Sequence, residues 1–137
     1  MRIPKFEAQT EWNIPTEFPD LRQVEEIAID LETKDPDLKE KGSGSVIGNG
    51  DVIGIAVATN GYKGYFPIAH EGGGNMDRKK VLEWLKDILE APSTKVFHNA
   101  MYDVCWLRQL GFKINGDIVC TMIAAAITDE NRFRYDL

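Results

Sequence analysis

The sequence predicts an α/β fold, a mixed sheet that begins as an antiparallel meander of three strands and continues with parallel strands, with helices packed on it. Three observations carry this prediction. Apolar and polar residues alternate over residues 25–33, two further strand-like runs flank Asn60-Gly61, and from Asp77 onward helical and strand periods take turns. The order is strand, strand, strand, helix, strand, helix, strand, helix, and no internal repeat interrupts it.

Residues 1–22 carry Pro4, Pro15 and Pro19 and read as an irregular leader, which leaves 23–137 as the domain. In the first strand Ile27, Ile29 and Leu31 share one face, and Ala28, Asp30 and Glu32 share the other. Residues 34–50, "KDPDLKEKGSGSVIGNG", read as a long mobile connection. Its glycines do not make a phosphate loop, because neither a Lys-Ser/Thr pair nor a GxGxxG spacing is present. "DVIGIAVATN" and "GYKGYFPIA" form a hairpin about Asn60-Gly61. Val81, Leu82, Leu85, Ile88 and Leu89 then have helical spacing, and Pro92 ends the run. "KVFHN" is a short strand, and "AMYDVCWLRQL" a helix with Asn99 as its N-cap and Gly111 as its stop. "GDIVCTMIAAAI" gives a short strand and then a helix apolar on nearly every side, which predicts burial.

With 137 residues, 43% of them apolar, the chain suffices for one compact domain and falls short of two. A net charge of −6 argues against plain electrostatic adhesion to nucleic acid or to an anionic membrane. It does not exclude a polyanionic substrate, since a carboxylate cluster that holds divalent cations presents positive charge to phosphate. Cys105 and Cys120 have no CxxC spacing and read as reduced core thiols. No apolar run has the length of a signal peptide or a membrane span, so a soluble chain in a reducing compartment is expected, with no membrane partner.

The acids raise the functional question. Alone, Asp30 and Glu32 fit an edge strand with charges turned to solvent. Asp103 is different: it follows Asn99 by one helical turn and sits among Met101, Tyr102, Val104, Cys105 and Trp106. An unpartnered carboxylate is costly in such a setting, and a metal ion is one partner that would relieve it.

Taken together, DxE in an apolar first strand and a later Asn-x-x-x-Asp helix resemble the DEDD superfamily of 3′-5′ exonucleases, which have a ribonuclease H-like fold. "AIDLET", "KVFHNAMYD", "GDIVCTMIAAAI" and "DENRFRYDL" look like the proofreading domain of bacterial and phage family A DNA polymerases, over roughly residues 24–137. The resemblance implies two Mg²⁺ or Mn²⁺ ions roughly 3.5–4 Å apart, held by hard carboxylate oxygens. It implies that Asp30 bridges both ions, Glu32 completes the first and helps orient the water, and Asp103 holds the second. Thr33 would lie near the terminal nucleotide, and Asn99 would cap its helix with a substrate-side role. The implied partners are a single-stranded DNA 3′ end and a polymerase domain in cis, in the cytoplasm of a bacterial or phage-infected cell.

One part of the family pattern is unmet. A fourth carboxylate is expected in a Tyr-x-x-x-Asp or His-x-x-x-x-Asp context, yet none of Asp117, Asp129, Glu130 and Asp136 has Tyr or His at those distances. Relatives continue past "FRYDL", so the resemblance implies a fold incomplete at its carboxy terminus, a shortened fragment or a natural remnant. The 137 residues are then expected to bind metal weakly, to hydrolyse DNA slowly or not at all, and to leave apolar surface open to self-association. Two alternatives stand beside this reading: a non-catalytic scaffold or strand-end binding module, and a ribonuclease D-like exoribonuclease. Tyr62, Tyr65, Phe66, Tyr102, Trp106 and Phe133 are stacking candidates, and Lys34, Lys63, Arg132 and Arg134 are cationic ones. Core packing is the better reading for each aromatic and plain solvation for most of the cations, so none is nominated as a site, and His70 and His98 read as structural.

Overall fold

The computed structural model describes residues 11–137. Five strands form one sheet in the order β3-β2-β1-β4-β5. The strands are β1 (Glu26–Lys34), β2 (Asp51–Thr59), β3 (Tyr62–Pro67), β4 (Thr94–Phe97) and β5 (Ile118–Cys120). β1, β2 and β3 pair antiparallel, whereas β4 and β5 extend the sheet in parallel from the other side of β1. The mixed sheet expected from the sequence is therefore present. Its hairpin turns at Asn60-Gly61, where Thr59 faces Tyr62 and Gly61 takes a φ of 83°.

The alternation of β1 decides which face is which. Ile27, Ile29 and Leu31 are buried, and Glu26, Ala28, Asp30 and Glu32 are exposed. The buried set joins Val52, Ile55 and Val57 of β2 in one core with two helices, α3 (Arg78–Glu90) and α4 (Ala100–Gln109). α3 contributes Val81, Leu85, Ile88 and Leu89, the stripe its spacing predicts, and Asp77 caps it by accepting from the Lys80 N–H. α4 contributes Trp106 and Leu107, and Gly111 with a φ of 89° follows its last turn. Residues 11–22 are irregular but packed: Phe18 stacks on Phe66 at 6.0 Å, and the Trp84 Nε1–H donates to the Pro19 carbonyl at 2.7 Å.

Several local expectations are corrected. Residues 34–50 are not a plain connection, since they contain two single-turn helices, α1 (Leu38–Lys41) and α2 (Gly44–Ile47). Asp35 explains the second, because its carboxylate accepts from the Gly44 N–H at 3.0 Å. The apolar helix α5 (Thr121–Thr128) is not buried. It has no buried residue, and Ile123 and Ile127 are 57% and 82% exposed beside the exposed edge strand β5. An all-round apolar pattern signals burial only when another element covers the helix, and none does so among the described residues. Both cysteines are free, as expected, but partly exposed rather than sealed in the core.

Candidate metal and nucleic-acid site

The helix acid Asp103 and the strand acid Asp30 come within electrostatic reach at the open edge of β1. β4 pairs with β1 only over Glu26–Ala28, which leaves the strand beyond Ala28 accessible to α4. Asp103, in the first turn of α4, reaches it there and accepts a hydrogen bond from the Leu31 N–H, the residue between Asp30 and Glu32. Asp103 is 3% exposed, and Asp30 and Glu32 are exposed. A bulge follows at once: β1 and β2 lose register between Glu32 and Thr33, a distortion that re-aims side chains at a strand end.

Burial is the main cause that raises the Asp103 pKa, to about 7, and the charge of Asp30 adds to it. The Leu31 N–H opposes the shift without cancelling it. None of the ion pairs among the described residues includes Asp30, Glu32 or Asp103. The charge of Asp30 therefore acts on a buried acid, and no ion pair among the described residues offsets it. The oxygens of both acids are the hard donors that Mg²⁺ and Mn²⁺ prefer, so residues and ion fit chemically. Among the described residues, no three His, Cys, Asp or Glu side chains converge closely enough to enclose a metal. Asp30 and Asp103 are brought together, while Glu32 lies toward β2 and β3, where its charge acts on the Tyr65 phenol.

Thr33 and Asn99 occupy different settings. The Thr33 hydroxyl bonds the Tyr102 hydroxyl at 2.8 Å, and Tyr102 donates onward to Asp35 at 2.9 Å, a chain that pins the end of β1 to α4. Asn99 is exposed and does not act as the predicted side-chain cap. Its backbone is left-handed, with φ 61° and ψ 57°, and a capping side chain needs the extended conformation to reach back to the first helical N–H groups. The thiol of Cys120 takes over part of that role, accepting from the Ala100 N–H at 3.4 Å. Asn99 is the one non-glycine residue with positive φ among the described residues, and it is exposed at the start of the helix that carries Asp103.

A cavity of about 1100 Å³ lies over the open sheet face, with Trp12, Ile14, Ala28, Asp30, Tyr65 and His98 among its walls. Small side chains make the room: Ala28, Ala56 and Ala58 are adjacent across β1 and β2. Sequence reasoning named Tyr65 as a stacking candidate and read His70 as structural, but did not foresee that their side chains bond each other. The available signal was Gly54, a glycine inside an otherwise apolar strand, which marks a close approach.

A family model described as 3′-5′ exonuclease, the exonuclease domain of family A DNA polymerases, matches residues 16–136. The chain belongs to that family. A DNA polymerase of Salmonella phage PMBT28 is 30% identical over 122 residues, which is 88% of this chain and 17% of that protein. A DNA-directed DNA polymerase of Pseudomonas phage M6 is 40% identical over 81 residues, 56% of this chain and 12% of that protein. The chain thus spans less than a fifth of these polymerases. Among solved structures, Brucella melitensis NrnC with bound Mg²⁺ is similar at a TM-score of 0.59 and 21% identity, over 86% of this chain and 52% of that one. The likeness bears out the ribonuclease H-like exonuclease fold. Among the described residues no helix is long and apolar enough to cross a membrane.

Proposed function

We propose that this exonuclease domain works by the two-metal route, removing nucleotides from single-stranded DNA 3′ ends as the proofreading part of a polymerase joined to it in cis. The observation that supports the metal assignment most directly is Asp103, a buried carboxylate set against Asp30 with no side-chain cation recorded at the pair. Asp30 and Asp103 would hold Mg²⁺ or Mn²⁺ between them, with Glu32 completing the set on the strand. When bound, the ions supply an activated water and stabilise charge on the leaving oxygen. The chain's own residues orient the strand end. Thr33 and the exposed Asn99 would contact the terminal nucleotide. Water adds to phosphorus, the bond to the 3′ oxygen breaks, the proton passes to that oxygen, and a 5′-mononucleotide leaves.

The sequence offers no fourth carboxylate in the family's context, so hydrolysis by the 137 residues alone is expected to be slow or absent. Two observations favour second readings. The loose grouping of the three acids favours a strand-end binding module that does no chemistry. The fold likeness to an NrnC structure bound to pGG favours a ribonuclease D-like enzyme acting on RNA ends.

A Mn²⁺ titration of the chain and of its Asp30→Ala and Asp103→Asn variants, with matched DNA and RNA oligonucleotides in the hydrolysis arm, tests these readings. Weak Mn²⁺ binding is expected, along with slow 3′-end shortening of DNA that falls on the order of a hundredfold in either variant. Mn²⁺ binding that ignores both substitutions would sink the metal assignment. Shortening confined to RNA would move the substrate.

A further inference from the structure

Tyr65 and His70 form a fixed pair on the open sheet face beside Glu32. Tyr65 lies across from Ala56, which in turn lies across from Asp30. The phenol leans over the next row, where Gly54 faces Glu32. A Cβ at Gly54 would stand 1.9 Å from the Tyr65 hydroxyl oxygen and 2.5 Å from the ring carbon that bears it. Only glycine admits the ring at that position, so the hydroxyl is delivered to the row of Glu32.

The pair is held from several sides. His70 Nε2 is 2.5 Å from the Tyr65 hydroxyl, and the two rings meet edge-on at 5.9 Å. Asn75 clamps the histidine's backbone, its Oδ1 accepting from the His70 N–H at 2.7 Å and its Nδ2 donating to the His70 carbonyl at 2.9 Å. Glu71 pairs with Lys34 of β1, and Trp12 tilts against Tyr65 at 5.9 Å. An immobilised phenol loses little freedom when it makes one further bond.

Electrostatics selects the direction of that bond. A phenol has one hydrogen to donate. If it went to His70, the oxygen lone pairs would face the Glu32 carboxylate. If the His70 Nε2–H donates instead, the phenol O–H is free to turn toward Glu32, and the field of the carboxylate favours this second arrangement. Glu32 stands on the row over which the phenol leans, paired across the sheet with Gly54.

We propose that Tyr65, oriented by His70 and admitted by Gly54, is a positioning residue whose hydroxyl donates to Glu32 and fixes that carboxylate for ion and water. The role rests on the nuclease reading of Asp30, Glu32 and Asp103. The test compares the 137-residue chain with Tyr65→Phe, Gly54→Ala, Glu32→Gln and the double variant Tyr65→Phe/Glu32→Gln. Mn²⁺ affinity and steady-state hydrolysis of single-stranded DNA are both measured. Tyr65→Phe is expected to weaken Mn²⁺ binding and lower kcat by about tenfold or more, with KM and the thermal midpoint nearly unchanged. Gly54→Ala should reproduce the loss, because its methyl group displaces the ring without removing any polar group. In the Glu32→Gln background Tyr65→Phe should change neither quantity further. Wild-type values of both quantities in Tyr65→Phe, or an undiminished loss in the Glu32→Gln background, overturn the positioning role and leave the nuclease reading intact. A wild-type chain with neither carboxylate-dependent Mn²⁺ binding nor hydrolysis overturns both.

Discussion

Lys95 and Asp103 are the two charged side chains that the fold buries among the described residues, and they are buried on opposite terms. Lys95, at an inward position beside Ile27, gives all three ammonium hydrogens to backbone carbonyls: those of Ala91, Ser93 at 2.9 Å and Asn115 at 2.8 Å. It ties the end of α3, the turn into β4 and the loop ahead of β5 into one node. Asp103 receives the Leu31 N–H and lies within reach of another acid's charge. A buried charge whose bonds are all made is part of the scaffold. A buried charge left with a deficit marks a place where something else is to bind.

The largest effect expected from this contrast is the pH dependence created by Asp103. The folded metal-free chain keeps the Asp103 proton up to about pH 7, whereas an unfolded aspartate releases it near 3.8. Between those values the folded state holds the extra proton, so stability falls as pH rises, and above pH 7 the whole cost is present. At about 1.4 kcal/mol per pKa unit the cost is on the order of 4 kcal/mol. Asp103→Asn should therefore flatten the stability profile between pH 4 and 7 and be the more stable protein at pH 8, as read from urea unfolding. Saturating Mn²⁺ should stabilise the wild type at pH 8 and leave the variant unmoved. A wild-type profile that rises over the same range would remove the deficit on which the contrast depends.

Lys95→Ala comes next in size. The substitution opens a cavity and strips three buried carbonyls of their donor, at a cost of about 3 kcal/mol. Lys95→Met keeps most of the volume and isolates the carbonyl share, so it should cost less. Urea midpoints for both, set against a surface change such as Lys86→Ala, check the claim. Equal midpoints for Lys95→Ala and Lys86→Ala would show that the node carries nothing.

The two buried charges also show what a sequence can reveal. The demand on Asp103 was legible, because its chain neighbours are apolar and a helix brings them together locally. Lys95 was not: "KVFHN" reads only as a short strand, and the acceptors of Lys95 come from three separate segments. The same division runs through the fold. The strands, the Asn60-Gly61 hairpin and α3 follow from periods and turn residues that are local. The exposure of α5, the left-handed backbone of Asn99 and the seating of Tyr65 over Gly54 depend on what tertiary contacts supply or withhold. Residue type alone made Asn99 a cap, and only its φ and ψ remove the side chain from that task.

Asp30→Asn has the smallest expected effect and the most to say about how the two acids share the site. Burial stands ahead of Asp30 among the causes that raise Asp103, so removing the neighbouring charge should lower the Asp103 titration only in part. A drop that stops short of the ordinary aspartate range matches that order of causes. Carbon-detected NMR of the Asp103 carboxyl in the metal-free chain reads it directly. A return to the ordinary aspartate range would mean that Asp30 alone creates the deficit and that the pocket around Asp103 is wet. No movement at all would mean that the acids do not sense each other, and ions shared between β1 and α4 would then lose their physical basis. An intermediate shift leaves Asp103 dry enough to need a cation and Asp30 close enough to share one.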